Sequence, residues 1–128
     1  MGSFRIDVEF ASIRRPQLFT PVPRMLVDTG SEYTWIPGEL LERAGVVPVK
    51  KDLQFLMANG EVITRSIGYA ILRAGGFETV DEVVFGQPGD LALLGARTLE
   101  GFGARVDSRA KRLVASGPHP AALALAQA

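Results

Sequence analysis

The chain has 128 residues, 47% of them apolar, with 14 lysines and arginines balanced by 14 aspartates and glutamates, and no cysteine. That length supports one domain with a core burying about two-thirds of the surface its unfolded form exposes, and two domains would be cramped. Balanced charge argues against nucleic acid as a partner, since phosphate binding needs a basic excess on one face, and the lack of cysteine excludes disulfides, thiolate nucleophiles and cysteine-ligated metal.

Phe4 to Phe10 alternates apolar and polar residues without a break, the period of a half-buried strand. Pro16, Pro21 and Pro23 make the next stretch a loop or an interrupted edge, because proline cannot donate to a central ladder. Met25-Leu26-Val27 is a short apolar run that ends at Asp28-Thr29-Gly30, and Thr34-Trp35-Ile36 resumes extended structure. Pro37 to Ala44 reads as one short helix closed by Gly45. Leu53 to Ala58 and Glu61 to Ile67 read as strands joined by Asn59-Gly60, a strong two-residue hairpin signal. Tyr69 to Ala74 and Phe77 to Phe85 form a second hairpin about Gly75-Gly76, followed by a Gln87-Pro88-Gly89-Asp90 loop. Leu91 to Leu94 is expected as a buried strand, Ala96 to Glu100 as a short helix, and Ala104 to Asp107 with Leu113 to Ala115 as strands that close the sheet.

The basic stretch Arg105 to Arg112, interrupted by Asp107 and Ser108, reads as a solvated strand end. From residue 117 the pattern changes. His119 lies between two prolines and reads as a solvated tail residue unable to build a zinc site, and Ala121 to Ala128 is an Ala/Leu-rich octamer, either a flexible tail or a short docked helix. The division expected is therefore a lobe over 1–116 and a tail over 117–128. No apolar run reaches the roughly 20 residues that span a bilayer, and no charged-then-apolar leader opens the chain, so it reads as cytoplasmic and without a membrane partner.

Many short strands, frequent turns and one or two short helices describe a mainly β lobe. Its one chemically suggestive element is Asp28-Thr29-Gly30, which follows an apolar strand and precedes a polar loop. Hydrolysis of a peptide by water needs a base for the water's proton and an acid for the carbonyl oxygen or leaving amine. Two carboxylates about 3 Å apart supply both by sharing a proton, since like charges that close cannot both be ionised. Only one Asp-Thr/Ser-Gly occurs in the chain, because Asp107-Ser108 is followed by Arg109.

Val27-Asp28-Thr29-Gly30-Ser31 followed by Trp35-Ile36-Pro37 resembles the active-site segment of pepsin-type aspartic peptidases, and Leu93-Leu94-Gly95 resembles the apolar-apolar-glycine strand that completes it. With the Asn59-Gly60 hairpin between them, the order is similar to that of a single-lobe, retropepsin-like subunit of clan AA, over about Phe4 to Ala115. The resemblance implies a retropepsin-like acid-protease β-barrel lobe working as a twofold homodimer, with Asp28 catalytic and no metal or other cofactor. Extended peptide or protein is the implied substrate, bound by main-chain hydrogen bonds. Thr29, Gly30, Ser31, Leu94 and Gly95 would support the site, with Ser31 bonding the outer carboxylate oxygen. Met57, Ala58, Asn59, Gly60 and Glu61 would form the flap tip, less glycine-rich than in retroviral enzymes, the alternative being a plain surface hairpin. Glu32 and Arg97, the latter offset by one residue, stand near an acid and an arginine that stabilise retropepsin subunits, a possible structural ion pair. Trp35 is either core or a support beneath the flap, and Tyr33 has no clear place. Ala121 to Gln127 is a poor strand by propensity, so a dimer would rest more on the Asp28 loops and on Leu99 to Val106. The competing reading is a catalytically silent, dimeric peptide-binding or assembly module on the same fold.

Overall fold

A computed structural model describes residues 4–119. The alternating opening stretch becomes β1 (Phe4–Ser12), which turns Phe4, Val8 and Phe10 inward. It pairs antiparallel with β2 (Thr20–Val27), and the register slips between Ile6 and Val8. Pro21 and Pro23 lie within β2, on a stretch whose second neighbour, β7 (Leu93–Leu94), reaches only Leu26 and Val27. That stretch is an open edge, so their missing N–H groups cost no ladder bond.

After the Asp28 loop, β3 (Thr34–Pro37) leads into α1 (Gly38–Arg43). Two bonds close that helix, from the Val46 N–H to the Leu41 carbonyl at 2.9 Å and from the Gly45 N–H to the Glu42 carbonyl at 3.1 Å, the pattern of a glycine-terminated helix. Its Leu41 is fully buried.

The two hairpins share one strand. β4 (Lys50–Leu56) pairs with the first half of β5 (Val62–Ala74), and β6 (Phe77–Gly86) pairs with the second half, from Ile67 onward. Gly75 and Gly76 both have positive φ, at 57° and 85°, the two-residue turn that matches strand twist. At Asn59-Gly60 only Gly60 is positive, at 88°. The Gly60 N–H donates to the Met57 carbonyl and the Met57 N–H to the Glu61 carbonyl, so the connection is a turn plus a glycine bulge rather than the two-residue hairpin expected.

The strand order β1-β2-β7-β3-β6-β5-β4, with β1 also paired to β5 from Glu9 to Ser12, closes six strands into a barrel. β4 stays outside the ring. From Val62 to Ser66, β5 has β4 as its sole partner, so this hairpin projects beyond the barrel. Phe10, Met25, Ile36, Leu72, Val83 and Leu94 fill the interior with no exposure.

Two expectations need correction. The strand expected over Leu91 to Leu94 is the two-residue β7, with Leu91 mostly exposed, because the tight Gln87–Asp90 turn delivers the chain to the barrel only at Ala92. After α2 (Ala96–Phe102), β8 (Ala104–Asp107) and β9 (Arg112–Ala115) form a separate two-stranded sheet instead of closing the barrel, whose ring is already complete. Its turn carries the basic stretch in solvent, with Asp107 Oδ1 accepting from the Arg109 and Ala110 N–H groups. His119 is exposed, and the tail expectation for Ala121 to Ala128 lies outside the described residues. Among the described residues no helix is long and apolar enough to cross a membrane.

Candidate active site

Asp28 directly follows β2, where the chain leaves the barrel for the loop to β3. Its N–H donates to the Leu94 carbonyl at 3.0 Å, so backbone pairing with β7 fixes where the loop begins. Within the loop, Asp28 Oδ1 accepts from the Gly30 N–H at 2.9 Å, and the Ser31 N–H donates to the Asp28 carbonyl at 3.2 Å. One carboxyl oxygen is thereby oriented by the loop's own backbone. Oδ2 accepts no hydrogen bond among the described residues, and Asp28 lines a cleft of about 740 Å³. Thr29 is exposed beside it. Ser31 does not bond the outer carboxylate oxygen as expected, because its hydroxyl turns back to the Tyr33 carbonyl at 3.0 Å and braces the loop instead.

Gly95 lies directly behind this loop. A Cβ there would fall on the Tyr33 carbonyl oxygen and stand 2.9 Å from that of Glu32, so only glycine lets β7 and the Asp28 loop pack this closely. The N–H groups of Ala96 and Arg97 then donate to the carbonyls of Ser31 and Glu32 at 2.8 and 3.0 Å. A chain of buried hydroxyls extends this attachment. The Gly95 N–H donates to Thr34 Oγ1 at 2.9 Å, Thr34 and Thr98 share a hydrogen bond of 2.6 Å, and the Thr98 hydroxyl donates to Asp81 Oδ2 at 2.8 Å. Because the one Thr98 hydroxyl proton goes to Asp81, Thr34 is the donor to Thr98, and every donor in the series has an acceptor. Sequence reasoning passed over Thr34, Asp81 and Thr98, since nothing in local pattern distinguishes a strand or helix threonine that faces another.

The hairpin β4–β5 covers the cleft from the other side. Phe55 meets Tyr33 and Trp35 edge-on, with ring centroids at 5.6 and 5.3 Å. These rings with Leu53, Ile63, Ile67 and Val84 form a second small apolar cluster between hairpin and barrel. Trp35 thus belongs to the packing and the cleft at once, only 7% exposed yet on the lining. Tyr33, unplaced by its sequence, packs beneath the hairpin and lines the cleft too. Met57 and Ala58 border the cleft at the hairpin tip. Asn59 stiffens the turn, accepting the Glu61 N–H at 2.9 Å and donating to the Glu61 carboxylate at 3.1 Å.

The ion pair expected between Glu32 and Arg97 is not formed. Arg97 reaches Glu82 at 3.0 Å and lies over the Tyr33 ring at 4.9 Å, because the first turn of α2 aims its side chain across β6 rather than along the Asp28 loop. Lys50 of β4 reaches the other oxygen of the same Glu82, and this hydrogen bond is the main reason the Glu82 carboxyl is held below the usual carboxylate range. A second pair went unforeseen. Arg65 of β5 donates from Nε and Nη2 to both oxygens of Asp90, at 2.7 and 2.9 Å, with both side chains 16% exposed. Asp90 also accepts the Gln87 N–H at 2.7 Å, so this pair ties the hairpin's second strand to the Gly89–Leu91 wall of the cleft. The hydrogen bonds from Arg65 are the main cause of the lowered Asp90 pKa. Among the described residues no group of three or more His, Cys, Asp or Glu is placed to hold a metal ion.

A mainly β lobe with one Asp-Thr-Gly loop on the floor of a cleft and a hairpin across it fits a single retropepsin-like subunit. Comparison with known families agrees: the model of the gag-polyprotein putative aspartyl protease matches residues 20–101, from β2 through α2, and the chain belongs to that family. Comparison with curated proteins gives no match.

Proposed function

We propose that the chain is one subunit of a homodimeric aspartic endopeptidase, in which two Asp28 carboxyls meet at a twofold axis and activate water against a peptide bond. The observation that carries this reading is the asymmetry of the Asp28 carboxyl on the cleft lining: Oδ1 is fixed by the Gly30 N–H, while Oδ2 has no donor among the described residues. One such group cannot act as acid and base at once, and the chain holds no second Asp-Thr/Ser-Gly, so the second carboxyl comes from another copy. The dyad then shares one proton, so the ionised member takes the proton of water while the protonated one donates to the carbonyl oxygen. The β4–β5 hairpin acts as the flap, with Met57 to Glu61 over bound peptide, and Thr29, Ser31, Leu94 and Gly95 hold the floor.

Asp28→Asn tests the proposal. The variant keeps its fold and its dimer but loses cleavage of a mixed peptide library, read by mass spectrometry from about pH 4 to pH 7, by at least about 100-fold. Sedimentation is expected to show a dimer, whose interface should bury more than about 1,000 Å² in total. Cutting by Asp28→Asn at the wild-type rate, or a protein that stays monomeric at tens of micromolar, would sink it. A wild type that binds peptides and cuts none points to the silent module.

A further inference from the structure

The cleft carries three carboxylates, Asp28, Glu32 and Asp90, and no lysine, arginine or histidine on its lining. They are not equivalent. Asp90 is matched by the two-pronged contact from Arg65, which cancels its charge where it stands. Asp28 is assigned to the chemistry. Glu32 remains: its main chain is held by the Arg97 N–H, but its exposed carboxylate accepts no hydrogen bond and joins no ion pair among the described residues. The nearest arginine on α2 is committed to Glu82 and to the Tyr33 ring. The apolar part of the same cleft lining includes Tyr33, Trp35, Leu53, Phe55 and Leu93.

We infer that Glu32 is a specificity residue: it selects a lysine or arginine side chain on an extended peptide whose neighbouring side chains are apolar. An uncompensated charge in a trough with apolar walls concentrates its field there, favouring a cation and repelling an acid at the same position. A basic side chain supplies what Glu32 lacks, a donor of opposite charge, in a charge-assisted bond. The apolar walls take up the flanking residues, and the stem of a lysine or arginine packs along them while its head reaches the carboxylate. Resting on the proposed homodimer, the inference puts one Glu32 on each side of the scissile bond, so the basic preference appears on both sides of the cut.

The test is binding rather than turnover. The full chain carrying Asp28→Asn is titrated, by fluorescence anisotropy, into labelled apolar octapeptides that hold Lys, Gln or Glu at each position in turn. A lysine peptide is expected to bind about tenfold more tightly than its glutamate counterpart at one position on each side of the centre. Adding Glu32→Gln removes the difference, Glu32→Lys reverses it, and Glu39→Gln, which makes the same charge change far away on α1, leaves it intact. Equal affinities for the lysine and glutamate peptides, a preference that survives Glu32→Gln, or no binding of any peptide overturns the inference. A basic preference in binding with no cleavage by the wild type upholds it and defeats the peptidase reading, whereas cleavage without charge preference defeats it alone.

Discussion

Around Gly95, behind the floor of the cleft, the Gly95 N–H and the Thr34 and Thr98 hydroxyls all meet partners inside the lobe, whereas the hairpin over the cleft leaves the barrel with one neighbouring strand and exposes Leu56 and Val62 at 77% and 57%. The floor is specified by backbone contact so close that one side-chain atom would disrupt it. The roof is held by Phe55 against two rings and by the Lys50–Glu82 and Arg65–Asp90 pairs at its base. The proposed function would use this division, holding a carboxyl still while the hairpin admits a long substrate, because elements that open come from the weakly packed part of a fold.

The substitution expected to damage the floor most is Gly95→Ala. With no room between β7 and the Tyr33 carbonyl, it is expected to cost at least about 3 kcal/mol or to prevent folding. A urea midpoint within error of the wild type would show that the loop yields easily and that the floor is not rigid. Next in size, Thr98→Val keeps the shape but strands the Thr34 hydroxyl and an Asp81 oxygen, costing about 2 to 3 kcal/mol by the same measurement.

Asp90→Asn probes the base of the roof and should cost about 2 kcal/mol near neutral pH, the range for hydrogen bonds to a charged group. The Asp90 carboxyl has its pKa lowered in the folded protein, so its contribution is present above the ordinary carboxylate pKa and disappears as pH falls through the lower folded value. The stability gap between wild type and Asp90→Asn should therefore shrink on acidification from about pH 5 toward pH 2, which paired urea titrations measure. A gap independent of pH would mean that Arg65 does not act through the ionised carboxylate.

Gly60→Val should have the smallest effect on stability, within about 1 kcal/mol, because the strain of a β-branched residue at a φ of 88° falls on a hairpin outside the barrel. Turnover should nevertheless fall, and unchanged kinetics would make the hairpin mere scaffold.

Patterns that act over a few residues were readable directly. The alternation of β1, the helix ending at Gly45, the Gly75-Gly76 turn and the Asp-Thr-Gly loop each depend on a local conformational preference that the residues state themselves. Asn59-Gly60 shows the limit: the dipeptide announces a reversal, but the turn type depends on how β4 and β5 are aligned, and here alignment left Asn59 at negative φ. The Glu32–Arg97 expectation failed similarly, since proximity in a motif does not tell which way a helix aims its arginine.

Residue order alone specified a β lobe, the place of one carboxylate after an apolar strand, and a glycine behind it, because strand period, turn chemistry and the absence of a side chain are properties of single residues and short runs. It took the folded barrel to join Thr34, Thr98 and Asp81 in one buried chain, to set Arg65 against Asp90, and to leave Glu32 without a partner among the described residues. Those facts join residues 17 to 64 positions apart, and a charge or hydroxyl carries no mark of its partner until the barrel closes and brings the two within bonding distance.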